Sequence, residues 1–300
     1  MQAAVYGAPP PVLSAAPAGA AVYSPFLVGA PDIEALGEAG LDFFEVLAPP
    51  GVLERRYVLA HALRALRPGG QLVAMAPKDR GGARLRAELE AFGCEVAESA
   101  RRHHRICHVV RPAELRGIEA SIEAGALRLD ARLGAWTQPG VFSWDRLDAG
   151  TAFLISRLPP LAGAGADLGG GVGLLARAVL ESPAVSRLDV LELDARACAA
   201  ARLNLDDPRA HVRQFDLSAP APLEGLDFVV TNPPFHAQGR ENRGLGELFI
   251  QRAAAVLRRG GSCWLVANRH LAYEAVLEEA FSSLRRVEEG AGYKIYEAIA

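Results

Sequence analysis

The sequence predicts an α/β chain built from two tandem, doubly wound units, the first of them degenerate and truncated. Three observations carry this: an internal repeat, a glycine turn present in only one copy, and a buried-strand run that ends in Asn-Pro-Pro.

The repeat is read from LDFFEVLAPP at 41–50 and LDFVVTNPP at 226–234. Both are apolar runs of strand length, the pattern of a strand covered on both faces in a parallel sheet. A helical stretch ending ALRPGGQLVAM (65–75) follows the first, and one ending VLRRGGSCWLVAN (256–268) follows the second. Each reads as a helix closed by glycine and followed by a strand. Each copy then continues through an amphipathic helix, LRAELEAFG against YEAVLEEAF. Both close with two strands about a short turn, CEVAESARRHHRICHVV against RRVEEGAGYKIYEAI. Matching segments in the same order indicate a tandem duplication. The boundary is expected near 112–120, giving domains 1–117 and 118–300.

The copies differ in what comes first. Ahead of the second lie ADLGGGVGLLARAVL (166–180), LDVLELDARACAAARLNL (188–205) and HVRQFDL (211–217). These read as a strand, a glycine turn, a helix, a strand ending in acid, and so on. Only about 40 residues precede the first copy, rich in Ala and Pro and without a comparable glycine turn. The first copy is therefore expected to have lost half the fold.

Composition sets the bounds. A chain of 300 residues that is half apolar can bury a large core and hold one large domain or two ordinary ones. Its 32 basic and 35 acidic residues give a net charge of −3, with no bulk signature of a nucleic-acid binder. A local basic face would still suffice for one. Cys94, Cys107, Cys198 and Cys263 lie far apart, with no CxxC and no His at ligand spacing. They read as buried free thiols, and neither a metal site nor a disulfide framework is expected. No charged N-terminal region precedes an apolar one, and no run of about twenty apolar residues occurs. A soluble, cytoplasmic protein without a membrane partner is expected.

The chemistry concentrates in the second copy. Glycines 169, 170, 171 and 173 separate a short strand ending at Asp167 and Leu168 from a helix starting near Leu174. Glycine there lets the backbone approach a ligand and leaves N–H groups at the helix start open to an anion. A plain tight turn has the same composition. Asp194, read as the end of the next strand and 27 residues after Asp167, is placed to accept from both hydroxyls of a ribose. An adenosine-type ligand follows, and a nicotinamide cofactor would use a similar arrangement. A P-loop is excluded because no GK[ST] sequence occurs.

NPPF at 232–235 makes the choice. The Asn232 amide oxygen and the Pro233 carbonyl, held by the rigid Pro233-Pro234 pair, can accept both hydrogens of a planar exocyclic NH₂. Those bonds would orient the nitrogen lone pair towards an electrophile. Phe235 offers a face on which the ring can stack, worth about 1–3 kcal/mol for a nucleobase. Such a site positions an amine and has no use for a hydride. An ordinary turn after a strand would account for Asn-Pro alone.

D-x-G-x-G-x-G, the acidic strand end and NPPF resemble the class I S-adenosylmethionine-dependent methyltransferases that act on exocyclic amines. With VFSWDRLDAGT (141–151), NPPFH and YKIYEA added, the chain resembles the ribosomal RNA guanine-N2 methyltransferases of the RsmC/RlmG type over most of residues 40–300. That resemblance implies two tandem Rossmann-like class I methyltransferase domains, the first degenerate, with S-adenosyl-L-methionine as cofactor and ribosomal RNA or a ribosomal subunit as partner. A monomer is expected. Asp167, Gly169, Gly171 and Gly173 would wall the methionine end, Asp194 would hold the ribose, and Asp216 would accept from the adenine amine. A loop-capping carboxylate is the other reading of Asp216. His236 would touch RNA or be an exposed structural histidine. The segment 142–151 would lie over the cofactor. Gly170 stands where the family often has Cys, and the first 40 residues are shorter than the family's usual lead-in. The alternatives are transfer to a protein glutamine amide or to adenine N6, or a non-catalytic RNA-binding assembly factor.

The first copy ends its strand in Ala-Pro-Pro, so it has no amine acceptor, and it is expected to bind RNA and no cofactor. Its positive charge clusters in KDRGGARLR (78–86) and ARRHHR (100–105). If equivalent sheet ends face one way, Lys78, Arg80, Arg101, Arg102 and Arg105 would hold phosphates beside the catalytic mouth. A solvated surface is the alternative.

Overall fold

The computed structural model describes every residue except 235, 238, 239 and 242, and of 236, 237, 240, 241 and 243 the backbone alone. Two units divide the chain: 1–128 with 138–140, and 129–137 with 141–300.

In the first unit, β1 (Ala3–Tyr6), β2 (Ala21–Tyr23), β3 (Leu41–Leu47), α1 (Val52–Ala65), β4 (Leu66–Pro77), α2 (Ala83–Ala91), β5 (Val96–Arg101), β6 (His104–Val110) and α3 (Ile118–Gly125) follow one another. The sheet order is β2-β1-β3-β4-β6-β5, parallel except for the β5–β6 hairpin. Helix α3 packs on α1 and carries this unit past the boundary expected at 117/118.

The second unit holds β7 (Arg128–Asp130), β8 (Ala135–Thr137), α4 (Ala149–Ile155), β9 (Gly163–Leu168), α5 (Leu174–Leu180), β10 (Val185–Glu192), α6 (Ala195–Asn204), β11 (Ala210–Gln214) and β12 (Leu226–Thr231). It continues through β13 (His236–Ala237), β14 (Arg240–Glu241), α7 (Arg243–Val256), β15 (Leu257–Asn268), α8 (Glu274–Ala280), β16 (Ser283–Gly290) and β17 (Tyr293–Ile299). Its main sheet runs β11-β10-β9-β12-β15-β17-β16, again parallel up to a closing antiparallel hairpin.

The duplication is visible bond by bond. Asp42 on β3 accepts from Arg67 Nε at 2.7 Å and from the Gln2 amide at 2.7 Å. Asp227, at the same place on β12, accepts from Arg258 Nε at 2.8 Å and from the Ala164 amide at 2.8 Å. The arginine beside each carboxylate holds it below the ordinary aspartate range. At the far end of the sheets the Lys78 amide donates to His103 O at 2.9 Å, and the Arg269 amide to Gly292 O at 2.8 Å.

Two expectations are corrected. The first copy has not lost half its sheet: β1 and β2 stand where β9 and β10 stand, and of the parallel strands only a partner for β11 is missing. The helices on one face are what it lacks. In the second unit α4, α5 and α6 cover that face through residues such as Leu154, Leu175 and Ala201. In the first, a loop supplies Leu13 against Phe43, Val73, Met75 and Ile106. The second correction concerns the helix ends. Helices α1 and α7 stop at Ala65 and Val256, ahead of the glycines, because Leu66 and Leu257 already pair with Leu41 and Leu226.

All four cysteines are free and buried, as expected, and burial pushes their thiols up to about 11 for Cys94 and about 12 for Cys107, Cys198 and Cys263. No helix among the described residues is long and apolar enough to cross a membrane.

Candidate active site

Strand order reverses between β9 and β12, the switch point beyond whose carboxyl strand ends open α/β sheets place their ligand sites. Leu168 pairs with Leu191 on one side and Thr231 on the other, so the three strands end level with one another. The buried Thr231 hydroxyl donates to the Leu168 carbonyl at 2.7 Å, joining the foot of the glycine turn to the foot of the Pro-Pro loop.

The glycine turn is fixed by sterics. Gly169, Gly171 and Gly173 have φ of +74°, +54° and +88°, a region other residues rarely enter. At Gly170 a Cβ would lie 2.4 Å from Val190 Cγ1, so the Cys that the family often carries has no room unless Val190 gives way. Nothing lies within 4 Å of where a Cβ would stand on Gly171.

Asp167 is wholly buried at the foot of this turn, and neither carboxylate oxygen has a hydrogen-bond partner among the described residues. Burial first, then the neighbouring Glu192 carboxylate, pushes its pKa up to about 8, with the Ala176 amide pulling weakly the other way. An orphaned buried carboxylate is costly unless a ligand completes it. An ammonium group would complete it, and S-adenosylmethionine carries one on its methionine end. The residues present therefore fit that cofactor.

The acid at the end of β10 is Glu192, not Asp194. Glu192 accepts from the Gly171 amide at 2.9 Å and from the Asp194 amide at 2.8 Å, leaving a lone pair on each oxygen for a diol. Its pKa is raised, mainly by burial, while these amides pull it down. Asp194 is occupied elsewhere. It caps α6 by accepting from the Arg196 amide at 3.0 Å, and Arg196 Nε and Nη2 reach its two oxygens at 3.0 and 2.8 Å. Asp194, expected to end the strand and hold a ribose, lies two residues beyond the strand's end.

Asp216 follows β11, is exposed, and accepts from the Ser218 amide at 2.8 Å. This is the loop-capping geometry, with one oxygen left over.

Asn232 is the first residue beyond β12. Its Nδ2 donates to Asp148 Oδ2 at 2.8 Å and to Thr151 Oγ1 at 2.9 Å. Asp148 is the N-cap of α4 and also accepts from the Thr151 amide at 2.9 Å. Pro233 is buried and Pro234 partly buried beside it. Phe235 and the side chain of His236 lie outside the described residues. Of the segment 142–151, Phe142 is exposed while Asp148 and Thr151 meet Asn232. Sequence reasoning assigned these two residues no role beyond the segment's expected place over the cofactor, although an Asp ahead of an apolar run is a helix-start signal.

In the first unit, Lys78, Arg101 and Arg102 are exposed and Arg80 partly so. The bond from the Lys78 amide to His103 O brings the two basic loops together at the carboxyl end of β4. Arg105 pairs with Glu98 at 3.1 Å. No group of three or more His, Cys, Asp and Glu among the described residues could hold a metal.

Counted within the second unit, strand order 3-2-1-4-5-7-6, with a glycine turn after the first strand and Asn-Pro-Pro after the fourth, is that of a class I methyltransferase. Residues 132–297 match the family model "Methyltransferase small domain", and the chain belongs to that family. It is 34% identical over 277 residues to ribosomal RNA small subunit methyltransferase C of Pseudomonas putida (strain W619), covering 87% of this chain and 83% of the relative. The protein of the same name from Pseudomonas aeruginosa (strain LESB58) is 36% identical over 249 residues, covering 81% and 74%. Among solved structures, the T. thermophilus 16S rRNA N2 G1207 methyltransferase, in complex with AdoMet and guanosine, superposes with a TM-score of 0.79. It is 24% identical and covers 100% of this chain and 88% of its own, a likeness that speaks for the fold.

Proposed function

We propose that this chain transfers a methyl group from S-adenosyl-L-methionine to the exocyclic N2 amine of a guanine in small-subunit ribosomal RNA. The observation that carries the reading is the Asn232 amide. Its nitrogen is committed to Asp148 and Thr151, so its oxygen is the atom left to accept from an incoming amine. The relatives bearing the name of ribosomal RNA small subunit methyltransferase C support ribosomal RNA as the source of that amine.

The cofactor, when bound, supplies a methyl group on a positively charged sulfur. The glycine turn approaches its methionine end, Asp167 takes the ammonium, and Glu192 takes the ribose hydroxyls. Asn232 Oδ1 and the Pro233 carbonyl accept the two hydrogens of the amine of a flipped-out base. Alignment supplies most of the rate, so no strong base is called for, and the amine's proton leaves to solvent after transfer.

The test is nucleoside mass spectrometry on ribosomal RNA from a strain lacking this protein, before and after incubation of its small subunits with purified protein and cofactor. Restored N2-methylguanosine is expected. Restored N6-methyladenosine instead, methylated protein glutamine, or no transfer despite cofactor binding would each replace this reading with one of its alternatives.

The basic loops of the first unit are proposed to hold RNA phosphates. Two exposed, adjacent loops support this. Because Arg105 is paired, the informative variant neutralises Lys78, Arg101 and Arg102. RNA affinity should fall and the log–log salt slope flatten by up to ~0.7–0.9 for each phosphate no longer neutralised, with cofactor affinity unchanged.

A further inference from the structure

We infer that Asp148 and Thr151 are positioning residues that lock the Asn232 side-chain amide in the one orientation that presents its oxygen to the substrate amine.

An asparagine amide is nearly symmetric in shape, and a half-turn about its last torsion exchanges an acceptor for a donor. In a pocket that recognises an NH₂, the flipped form would offer hydrogens to hydrogens and repel the substrate. Something must therefore hold the amide one way. Pro233 and Pro234 restrict the backbone but leave this torsion free.

The lock is built from α4. Asp148 Oδ2 and Thr151 Oγ1 lie 2.8 and 2.9 Å from Asn232 Nδ2, one for each amide hydrogen. A carboxylate can only accept, so the bond to Asp148 fixes which end of the amide faces it by chemistry. Flipping would set Oδ1 against Oδ2 and leave two polar groups unmet. Asp148 is itself held, because the same oxygen caps α4 through the Thr151 amide at 2.9 Å. Close packing holds the start of that helix: a Cβ on Gly150 would lie 2.8 Å from Tyr293 Cε1 and 3.1 Å from Asp148 Oδ2. No described residue donates to Asn232 Oδ1. One end of the amide is thus fully committed, and the other takes no hydrogen bond from any described residue.

This inference rests on the methyl-transfer reading above, and it is tested by readouts that can fail separately. Three variants carry it. Thr151→Val keeps the shape and removes one acceptor, and Thr151→Ser keeps the acceptor. Asp148→Asn preserves a good helix cap but can face Asn232 with either oxygen or nitrogen, so the amide loses its unique orientation. Single-turnover methyl transfer should fall on the order of 10-fold in Thr151→Val and on the order of 10- to 100-fold in Asp148→Asn. Cofactor Kd and Tm should stay near those of the parent, and Thr151→Ser should recover most of the rate.

The second readout needs no turnover. In ¹⁵N-labelled protein the Asn232 side-chain amide pair, assigned by its loss in Asn232→Asp, should exchange slowly with solvent in the parent and faster in Thr151→Val. If the parent protects this pair but methylates no guanine, the substrate reading has failed and the lock stands. The lock is overturned by an unprotected pair in the parent, by parent-level transfer in both Thr151→Val and Asp148→Asn, by equal loss in Thr151→Ser and Thr151→Val, or by losses confined to cofactor affinity.

Discussion

Both copies end a central strand in a Pro-Pro loop, and the two loops differ in what supplies their hydrogen-bond donors. In the first unit, Arg55 Nη1 donates to the Pro49 carbonyl at 3.1 Å and the Pro50 carbonyl at 2.7 Å. Its Nε and Nη2 lie 2.6 and 2.7 Å from Glu88, and its side chain is wholly buried. Glu45 in the middle of β3 takes the Ser14 hydroxyl and the Ala15 amide, which fastens the loop that covers this face where the second unit has helices. In the second unit no described residue donates to the Pro233 carbonyl or to Asn232 Oδ1. A retired pocket is one whose acceptors the fold has satisfied from within; a working one keeps them for a ligand. Lacking the asparagine proposed to accept the amine is the smaller part of the difference, and holding an internal guanidinium is the larger.

That contrast can be broken from the first unit. Arg55→Ala leaves Glu88 buried without its partner and two carbonyls unfilled, and should destabilise the first unit by roughly 3–5 kcal/mol. Denaturant unfolding followed by hydrogen exchange reads it, and a loss below about 1 kcal/mol would mean that the guanidinium fills space and does no more.

Asn232→Ala is the mirror experiment. Methyl transfer should fall by at least ~10²-fold while cofactor affinity stays within a few-fold and Tm is nearly unchanged. Leu47→Asn, at the place in the first unit that Asn232 takes in the second, should create no second site, because Arg55 already occupies the carbonyls of the loop that follows. New cofactor binding in that variant would contradict the comparison.

The two acids near the end of β10 sharpen it further. Glu192→Gln should weaken S-adenosylmethionine binding by roughly 1–3 kcal/mol with little change in stability. Asp194→Ala should instead cost about 1 kcal/mol of stability through the lost helix cap. Calorimetry and thermal melts on the same two proteins decide, and the reverse pattern would return the ribose to Asp194.

A pH dependence is expected as well. The folded pKa of Asp167 is raised from 3.8 to about 8, so the stability this group allows is fully present below pH 4 and is lost as pH rises towards 8. Asp167→Asn stays neutral throughout. Its advantage in apoprotein stability over the parent should grow from pH 5 to pH 8, reaching on the order of 1–3 kcal/mol, while its cofactor affinity falls. A Tm difference that does not change with pH would place the titration elsewhere.

How much of this was legible in the sequence depended on the range of the signal. LDFVV, the glycine run and the two closing hairpins are local patterns, and each occurs where periodicity and turn chemistry put it. The phase of β10 was not readable, because LDVLELD alternates past its own end and either acid could be the last strand residue. Only the Gly171 and Asp194 amides, both bound by Glu192, settle it. Strands β1 and β2, of four and three residues and partly alanine, are too short to register against a Pro-rich background. The anchors of Asn232 lie 84 and 81 residues upstream, and nothing short of the fold brings them together.

The Thr231–Leu168 bond has a consequence for how this scaffold can be reused. Neighbouring strands are set about 4.7–4.9 Å apart by backbone geometry, whatever their side chains. The two loops that meet across the crevice start from adjacent strands already stitched at their tips, so the span between methyl donor and acceptor is a fixed gauge of the sheet. Tools mounted on such a gauge can be exchanged without recalibration: substitutions in the acceptor loop change which amine is admitted, and the reach of the transfer stays the same.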